Sequence, residues 1–242
     1  MKVSIVLPAY LEAENLKNIL PAIKDEMQEI DYEILVIDTM ECMDETKEIC
    51  EKCNVKYISR RGGNNYGDAI RTGIEDARGT YIVIMDADGS HDPQCIPIFL
   101  DEMESERYDL IIGSRYCKGG YTDNPVILRL MSWILNVAYR LIFRLKVKDV
   151  SNSFRMYRKE QIQGLSLECD NFDLVEEILI KLSLYCVPFR VKEVPISFNK
   201  RAAGESKRNL TKFILSYFGT IYRLLQIKRR ARIKGKEAIT EE

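Results

Sequence analysis

The chain has almost no net charge. Its 36 Lys and Arg stand against 37 Asp and Glu, a formal charge of -1, so there is no global pull toward nucleic acid or acidic surfaces, and any electrostatic partner must be met by a local patch. It also lacks an apolar window of the length expected for crossing a bilayer. MKVSIVLP enters a strand without a basic region, a long apolar core or a cleavage site, so no signal peptide is expected. A protein that is soluble or lies on a surface is the resulting expectation. The seven cysteines (42, 50, 53, 95, 117, 169 and 186) are odd in number and scattered, which suits reduced thiols in a cytosolic setting rather than a disulfide framework. Cys50 and Cys53 have a metal-like spacing, but no second pair follows and they fall in a predicted helix, so they read as ordinary thiols. There is no G-x-x-x-x-G-K-[ST], which excludes a P-loop. The glycine loop Arg61-Gly62-Gly63-Asn64-Asn65-Tyr66-Gly67 follows the third predicted strand and lacks the order G-x-G-x-x-G, which excludes a nicotinamide or flavin site. Internal repeats and low-complexity tracts are absent.

What is present is a large apolar fraction, 46%, enough for the core of one large α/β domain or two small ones. Val3 to Leu7 reads as a buried strand stopping at Pro8. Glu12 to Glu29 follows with helical spacing of Leu16, Ile19, Leu20, Ile23 and Met27, and Pro21 is expected to kink or break it. Strands are predicted at Tyr32 to Ile37, Val55 to Ile58, Tyr81 to Met85 and Asp109 to Ile112, and helices at Asp44 to Cys53, after the glycine loop up to about Gly79, and at Pro93 to Glu104. This alternation implies a parallel, right-handed, doubly wound sheet. Asp149 to Arg158 reads as a loop entering a strand, Leu174 to Leu184 as a helix, and Phe189 to Phe198 as a strand.

Tyr81-Ile82-Val83-Ile84-Met85 is the apolar run of a central strand buried on both faces. At its carboxyl end, where open α/β sheets place ligands, stands Asp86-Ala87-Asp88-Gly89. Two carboxylates one residue apart can converge on a divalent ion whose other oxygen ligands are phosphates; an Asp-rich turn is the plainer reading. His91, the only histidine, reads as a turn residue rather than a base.

Pro125 to Lys146 is an unusually apolar helix interrupted by Arg129, Arg140 and Arg144. It is too charged to span a membrane and too apolar for a wide wet face, so burial or an interface is expected. Leu210 to Ile227 is amphipathic, fitting either packing on the domain or membrane contact. Lys228, Arg229, Arg230, Arg232, Lys234 and Lys236 then form a basic tail suited to anionic headgroups or to solvent.

Pro8-Ala9-Tyr10-Leu11-Glu12, Asp38, Asp86-Ala87-Asp88, Gly113-Ser114-Arg115-Tyr116 and Gly204-Glu205-Ser206-Lys207 together resemble the inverting family 2 glycosyltransferases of the GT-A fold. More narrowly, with S-F-R-M-Y-R-K and E-V-P-I-S-F, the chain is similar to dolichyl-phosphate (polyprenyl-phosphate) mannosyltransferases. The resemblance implies a Rossmann-like nucleotide-diphospho-sugar transferase domain over 1–227, with a nucleotide-sugar half (1–112) and an acceptor half (113–227) carrying interfacial helices at 125–146 and 210–227, followed by a tail at 228–242. It assigns the nucleotide sugar to Pro8, Tyr10, Glu12, Val36, Asp38, Asp86, Ala87, Asp88, Arg115, Arg201 and Lys207, and the Mg²⁺ or Mn²⁺ to Asp86, Asp88 and Ser90. Arg115, Arg129, Ser132 and Arg201 fall to the acceptor lipid phosphate, and Asp86, Asp88, Arg115 and Arg201 to catalysis.

The implied reaction moves a hexose, mannose from GDP-mannose, to a polyprenyl phosphate at the cytoplasmic face of a membrane, with no nucleic acid involved. Asp38-Thr39-Met40-Glu41-Cys42-Met43-Asp44 is one residue longer than the family's usual paired aspartates and Gly-Ser turn, so the nucleotide base stays open. Ser151-Asn152 replaces the usual Gly before Ser-Phe. Leu128 stands where a basic residue is common, with Arg129 next to it. A UDP-sugar transferase and a non-catalytic nucleotide-sugar binding protein are the alternatives, and the need for a membrane-anchoring subunit is open.

Overall fold

Seven strands form one sheet in the order β3-β2-β1-β4-β7-β5-β8, and the element boundaries follow the apolar periodicity closely. The structure, a computed structural model, describes residues 1–199 and 219–230. In chain order the elements are β1 (Val3–Pro8), α1 (Ala13–Glu26), β2 (Tyr32–Asp38), α2 (Thr46–Lys52), β3 (Lys56–Ser59), α3 (Tyr66–Asp76), β4 (Tyr81–Ile84), α4 (Cys95–Ser105), β5 (Leu110–Ser114), β6 (Tyr121–Thr122), α5 (Val126–Phe143), β7 (Arg155–Arg158), α6 (Lys159–Ile162), α7 (Leu174–Tyr185), β8 (Val191–Pro195) and β9 (Ser197–Phe198). A further helix, α8, covers 219–230.

The sheet is mostly parallel, as expected, but β7 runs antiparallel between β4 and β5. That reversal has a consequence for the site. Because β7 begins where its neighbours end, the segment leading into it, Val150 to Phe154, arrives at the carboxyl edge beside Asp86 and Ser114. Alternate residues of the buried strands feed two cores. Val3, Ile5, Leu7 and Val83 pack with α1, α2 and α4 on one face. Val6, Leu35, Ile82 and Ile84 pack with α3, α5, α7 and α8 on the other.

Several expectations are refined. Of the kink or break expected at Pro21, the break does not occur, since Pro21 lies inside α1; both it and Lys17, whose carbonyl loses its helical donor, are exposed, so water can replace the missing bond. The strand expected at Phe189 to Phe198 divides at Ile196 into β8 and β9, and β9 leaves the main sheet to pair with β6. The short β6 and α6 carry too few residues for a periodic signal. α5 is, by length and composition, apolar enough to cross a membrane, with mean hydropathy 1.6 over 18 residues, so the expectation that no such window exists was too strict. Nor is α5 buried: Asn136, Tyr139 and Phe143 are its only buried residues.

Candidate active site

Four chain segments meet at the carboxyl edge of β1, β2, β4 and β5. After β4, the Asp86 N–H donates to Nδ1 of His91 at 3.1 Å, and Oδ1 of Asp88 accepts the Ser90 N–H at 3.0 Å. Gly89, at φ 77°, supplies the left-handed residue that lets the turn close. Ala87, Asp88, Ser90 and His91 are buried, while Asp86 is partly open. The Ser90 Oγ is fully buried and has no hydrogen-bond partner among the described residues.

Whether a divalent cation fits here can be tested on the donor set. Among the described residues no three His, Cys, Asp or Glu side chains converge as a complete cage. The Asp86 and Asp88 carboxylates and the orphaned Ser90 hydroxyl are all hard oxygen donors, the donor class a divalent cation takes alongside phosphate oxygens. The residues fit such a group.

The nucleotide residues inferred from the resemblance line the neighbouring edge. Pro8 ends β1, Tyr10 is exposed in the following turn, and the Glu12 carboxylate accepts the Asn15 amide at 2.5 Å just ahead of α1. Asp38 ends β2 and is buried; burial pushes its carboxyl above the usual range, while the Tyr57 hydroxyl donates to it at 3.2 Å. Val36 lies deeper, wholly within the core beneath this edge. Reading by motif overlooked Arg60, buried at the end of β3. Its guanidinium donates to Ala9 O, to Asn64 O at 2.6 Å and to Asn65 O at 3.2 Å, binding the β1 edge to the glycine loop. The signal was a basic residue directly after a strand and before a glycine loop.

At the far end of this edge, where the resemblance puts the acceptor, Arg115 follows β5 and is held by Asp149. Asp149 Oδ2 accepts both the Arg115 backbone N–H at 2.9 Å and Nε at 2.8 Å, and Oδ1 accepts Nη2 at 2.7 Å. Burial would push the Asp149 carboxyl up, but the Arg115 guanidinium outweighs it and holds the group below the usual carboxylate range. Arg115 also donates to Ser151 Oγ at 2.9 Å, and Ser151 Oγ lies 3.3 Å from Ser132 Oγ on α5. Arg115 and Ser132 therefore share one hydrogen-bonded chain. Arg129 is exposed, a turn nearer the start of α5. Asp149, Ser151, Asn152 and Glu193 were not singled out as site residues; Glu193 takes the Ser114 hydroxyl at 2.7 Å and the Asp149 N–H at 2.9 Å, fixing the base of this chain. Arg201 and Lys207 lie outside the described residues.

Against known proteins, residues 4–165 match the model of the family described as glycosyl transferase family 2. The chain belongs to that family. It is 36% identical over 233 residues, 93% of its length, to a dolichol-phosphate mannosyltransferase of Pyrococcus furiosus, and it spans 64% of that relative. It is 30% identical to an undecaprenyl-phosphate mannosyltransferase of Micrococcus luteus, over 86% of this chain and 87% of the relative. Among solved structures it is similar to glucosyl-3-phosphoglycerate synthase from Mycobacterium tuberculosis in complex with Mn²⁺, UDP and glucosyl-3-phosphoglycerate, with a TM-score of 0.72 at 18% identity over 93% of this chain and 79% of the other. The GT-A fold read from the motifs is the fold observed.

Proposed function

We propose that this family 2 chain is an inverting, cation-dependent transferase that moves mannose from GDP-mannose to a polyprenyl phosphate at the cytoplasmic face of a membrane. The observation carrying this reading is the pairing, at one sheet edge, of the Asp86-Ala87-Asp88 turn and its orphaned Ser90 hydroxyl with the Arg115–Ser151–Ser132 chain that leads to the exposed apolar helix α5. The names of the Pyrococcus and Micrococcus relatives support the same acceptor class and sugar.

Asp86, Asp88 and Ser90 would hold the cation, which when bound supplies positive charge opposite the departing diphosphate. Asp38 and Arg60 border the nucleotide pocket. Arg115, already oriented by Asp149, offers charge to an acceptor phosphate, and Ser132 and Ser151 add hydroxyl donors. A polyprenyl phosphate reaches the site as an anion, so the reaction requires positioning and charge balance more than a base. His91 is committed to the Asp86 turn, and burial pushes its pKa down. It serves here as a fixed neutral ring.

Incubation with radiolabelled GDP-mannose, polyprenyl phosphate and Mg²⁺ or Mn²⁺ is expected to give a lipid-extractable product; no product would sink the mannosyl reading. The longer segment between Asp38 and Asp44, beside the base pocket, favours keeping a UDP-sugar as the second reading. Ranking GDP against UDP by thermal shift separates them, because a ligand that binds only the native state raises its stability.

A further inference from the structure

The one histidine is placed as a joint between the two halves of the site. Its ring is buried, stacked on Phe154 at 4.8 Å and met edge-on by Phe198 at 5.3 Å. On one side Nδ1 faces the Asp86 N–H at 3.1 Å; on the other Nε2 lies 3.3 Å from Asn152 Oδ1. The tautomer follows from these neighbours. A backbone N–H can only donate, so Nδ1 must be the lone-pair nitrogen and Nε2 carries the proton. Asn152 is turned to receive that proton, since its own Nδ2 donates to Gly113 O at 2.6 Å, and its backbone carbonyl accepts Arg155 Nε at 2.8 Å. An unbroken series of oriented bonds thus runs from the Asp86 peptide to the Val150–Phe154 segment and the end of β5. Phe198, which closes the ring from the side, also carries the Arg115 guanidinium at 5.5 Å.

We propose that His91 is a positioning residue, set by Asn152 of the acceptor segment, whose Nδ1 holds the Asp86 peptide at the angle the cation and diphosphate require. This deepens the transferase reading and rests on it. A group that orients a metal ligand through one intervening bond acts on affinity, and losing such partners weakens metal binding about 10- to 100-fold.

The two ring nitrogens can be tested apart, because an Asn side chain offers an acceptor near the Nδ1 position and a Gln side chain offers a donor near the Nε2 position. The measurement is Mn²⁺ affinity in the presence of GDP, and separately UDP, by titration calorimetry, with thermal unfolding of each variant alongside. His91→Asn should keep Mn²⁺ affinity near that of the unchanged protein. His91→Gln should lower it about tenfold or more, while both variants, having lost the same packed ring, should unfold at similar temperatures. Asn152→Leu, which removes the acceptor that anchors the ring at Nε2, should lower it too, although Asn152 lies in the acceptor half. Equal affinities across all four proteins would overturn the inference, as would affinity losses that merely track unfolding temperature. Should the unchanged protein fail to bind Mn²⁺ in the presence of either nucleotide, the transferase reading itself falls and takes this inference with it; binding by the unchanged protein with indifferent variants removes the inference alone.

Discussion

Arg115 meets Asp149 side-on, Nε to Oδ2 at 2.8 Å and Nη2 to Oδ1 at 2.7 Å, with the carboxylate sealed from water and the guanidinium nearly so. Such a pair contributes little net stability compared with an apolar replacement, but breaking it leaves a buried charge uncompensated, at about 3–5 kcal/mol. Asp149→Asn should therefore destabilise the fold by that order. The sign with pH follows from the depressed Asp149 carboxyl. A group whose folded value lies below its ordinary 3.8 contributes stability that is present above that value and is lost as the pH falls through the folded one. Chemical denaturation from neutral pH downward should show the gap between the two proteins constant at first, then closing below 3.8.

Asp88 gives a contrasting case, in which chemistry should be lost and folding kept. Its Oδ1 accepts the Ser90 N–H, a role an amide oxygen can also fill. Asp88→Asn removes the charge and keeps the turn. Lipid-linked product should fall below detection in the radiolabel assay, while the unfolding midpoint stays near that of the unchanged protein. An active variant would rule out the cation role of Asp88.

Most of the fold was legible because buried parallel strands and helices write long periodic signals: β1, β2, β4, α1, α3, α4 and α7 lie within a few residues of their predicted places. β7 was read as a loop entering a strand, but its antiparallel direction was hidden. Arg155–Arg158 is four residues long, and direction depends on partners distant in sequence. The Asp86–Asp88 turn was visible because both groups are neighbours in the chain. Arg60, Asp149 and Asn152 were not, since each owes its place to a bond with a residue 34 to 61 positions away or to the closing of a loop against another strand. The exposure of α5 was the hardest to foresee, because an apolar helix has the same composition whether protein or lipid covers it.

Ser90 separates stability from binding in the opposite sense to Asp149. Its buried Oγ has no partner among the described residues, so Ser90→Ala removes an unsatisfied group and should leave stability unchanged or raise it by about 1 kcal/mol. The same change deletes the third oxygen donor proposed for the cation. Titration of Mn²⁺ in the presence of nucleotide should show weaker binding, and unchanged affinity would remove Ser90 from the cation site.

The outer face of α5 is apolar and is not covered by the described residues. Val126, Ile127, Leu130, Trp133, Ile134 and Leu141 are exposed by 50 to 76%, along one stripe opposite the buried Asn136, Tyr139 and Phe143. Lys228 of α8 donates to Ile142 O at 3.0 Å and sits over the Phe143 ring, which ties the basic end of that helix to the last turn of α5. The proposed lipid contact would use this face, with apolar side chains entering the acyl boundary and cations staying with the anionic headgroups. Replacing Trp133 and Ile134 by Asp should cost about 1 kcal/mol each, since both are only half-exposed and Asp is a poor helix former. Flotation with vesicles containing anionic lipid should nevertheless show most of the binding lost, and raised salt should weaken the unchanged protein's binding in the same assay. A helix lying in the interface should be released by alkaline carbonate, whereas one that crosses the bilayer should stay in the pellet. Retention of the unchanged protein after carbonate would overturn the surface orientation, and flotation of the double variant at the original level would show that another part of the chain meets the lipid.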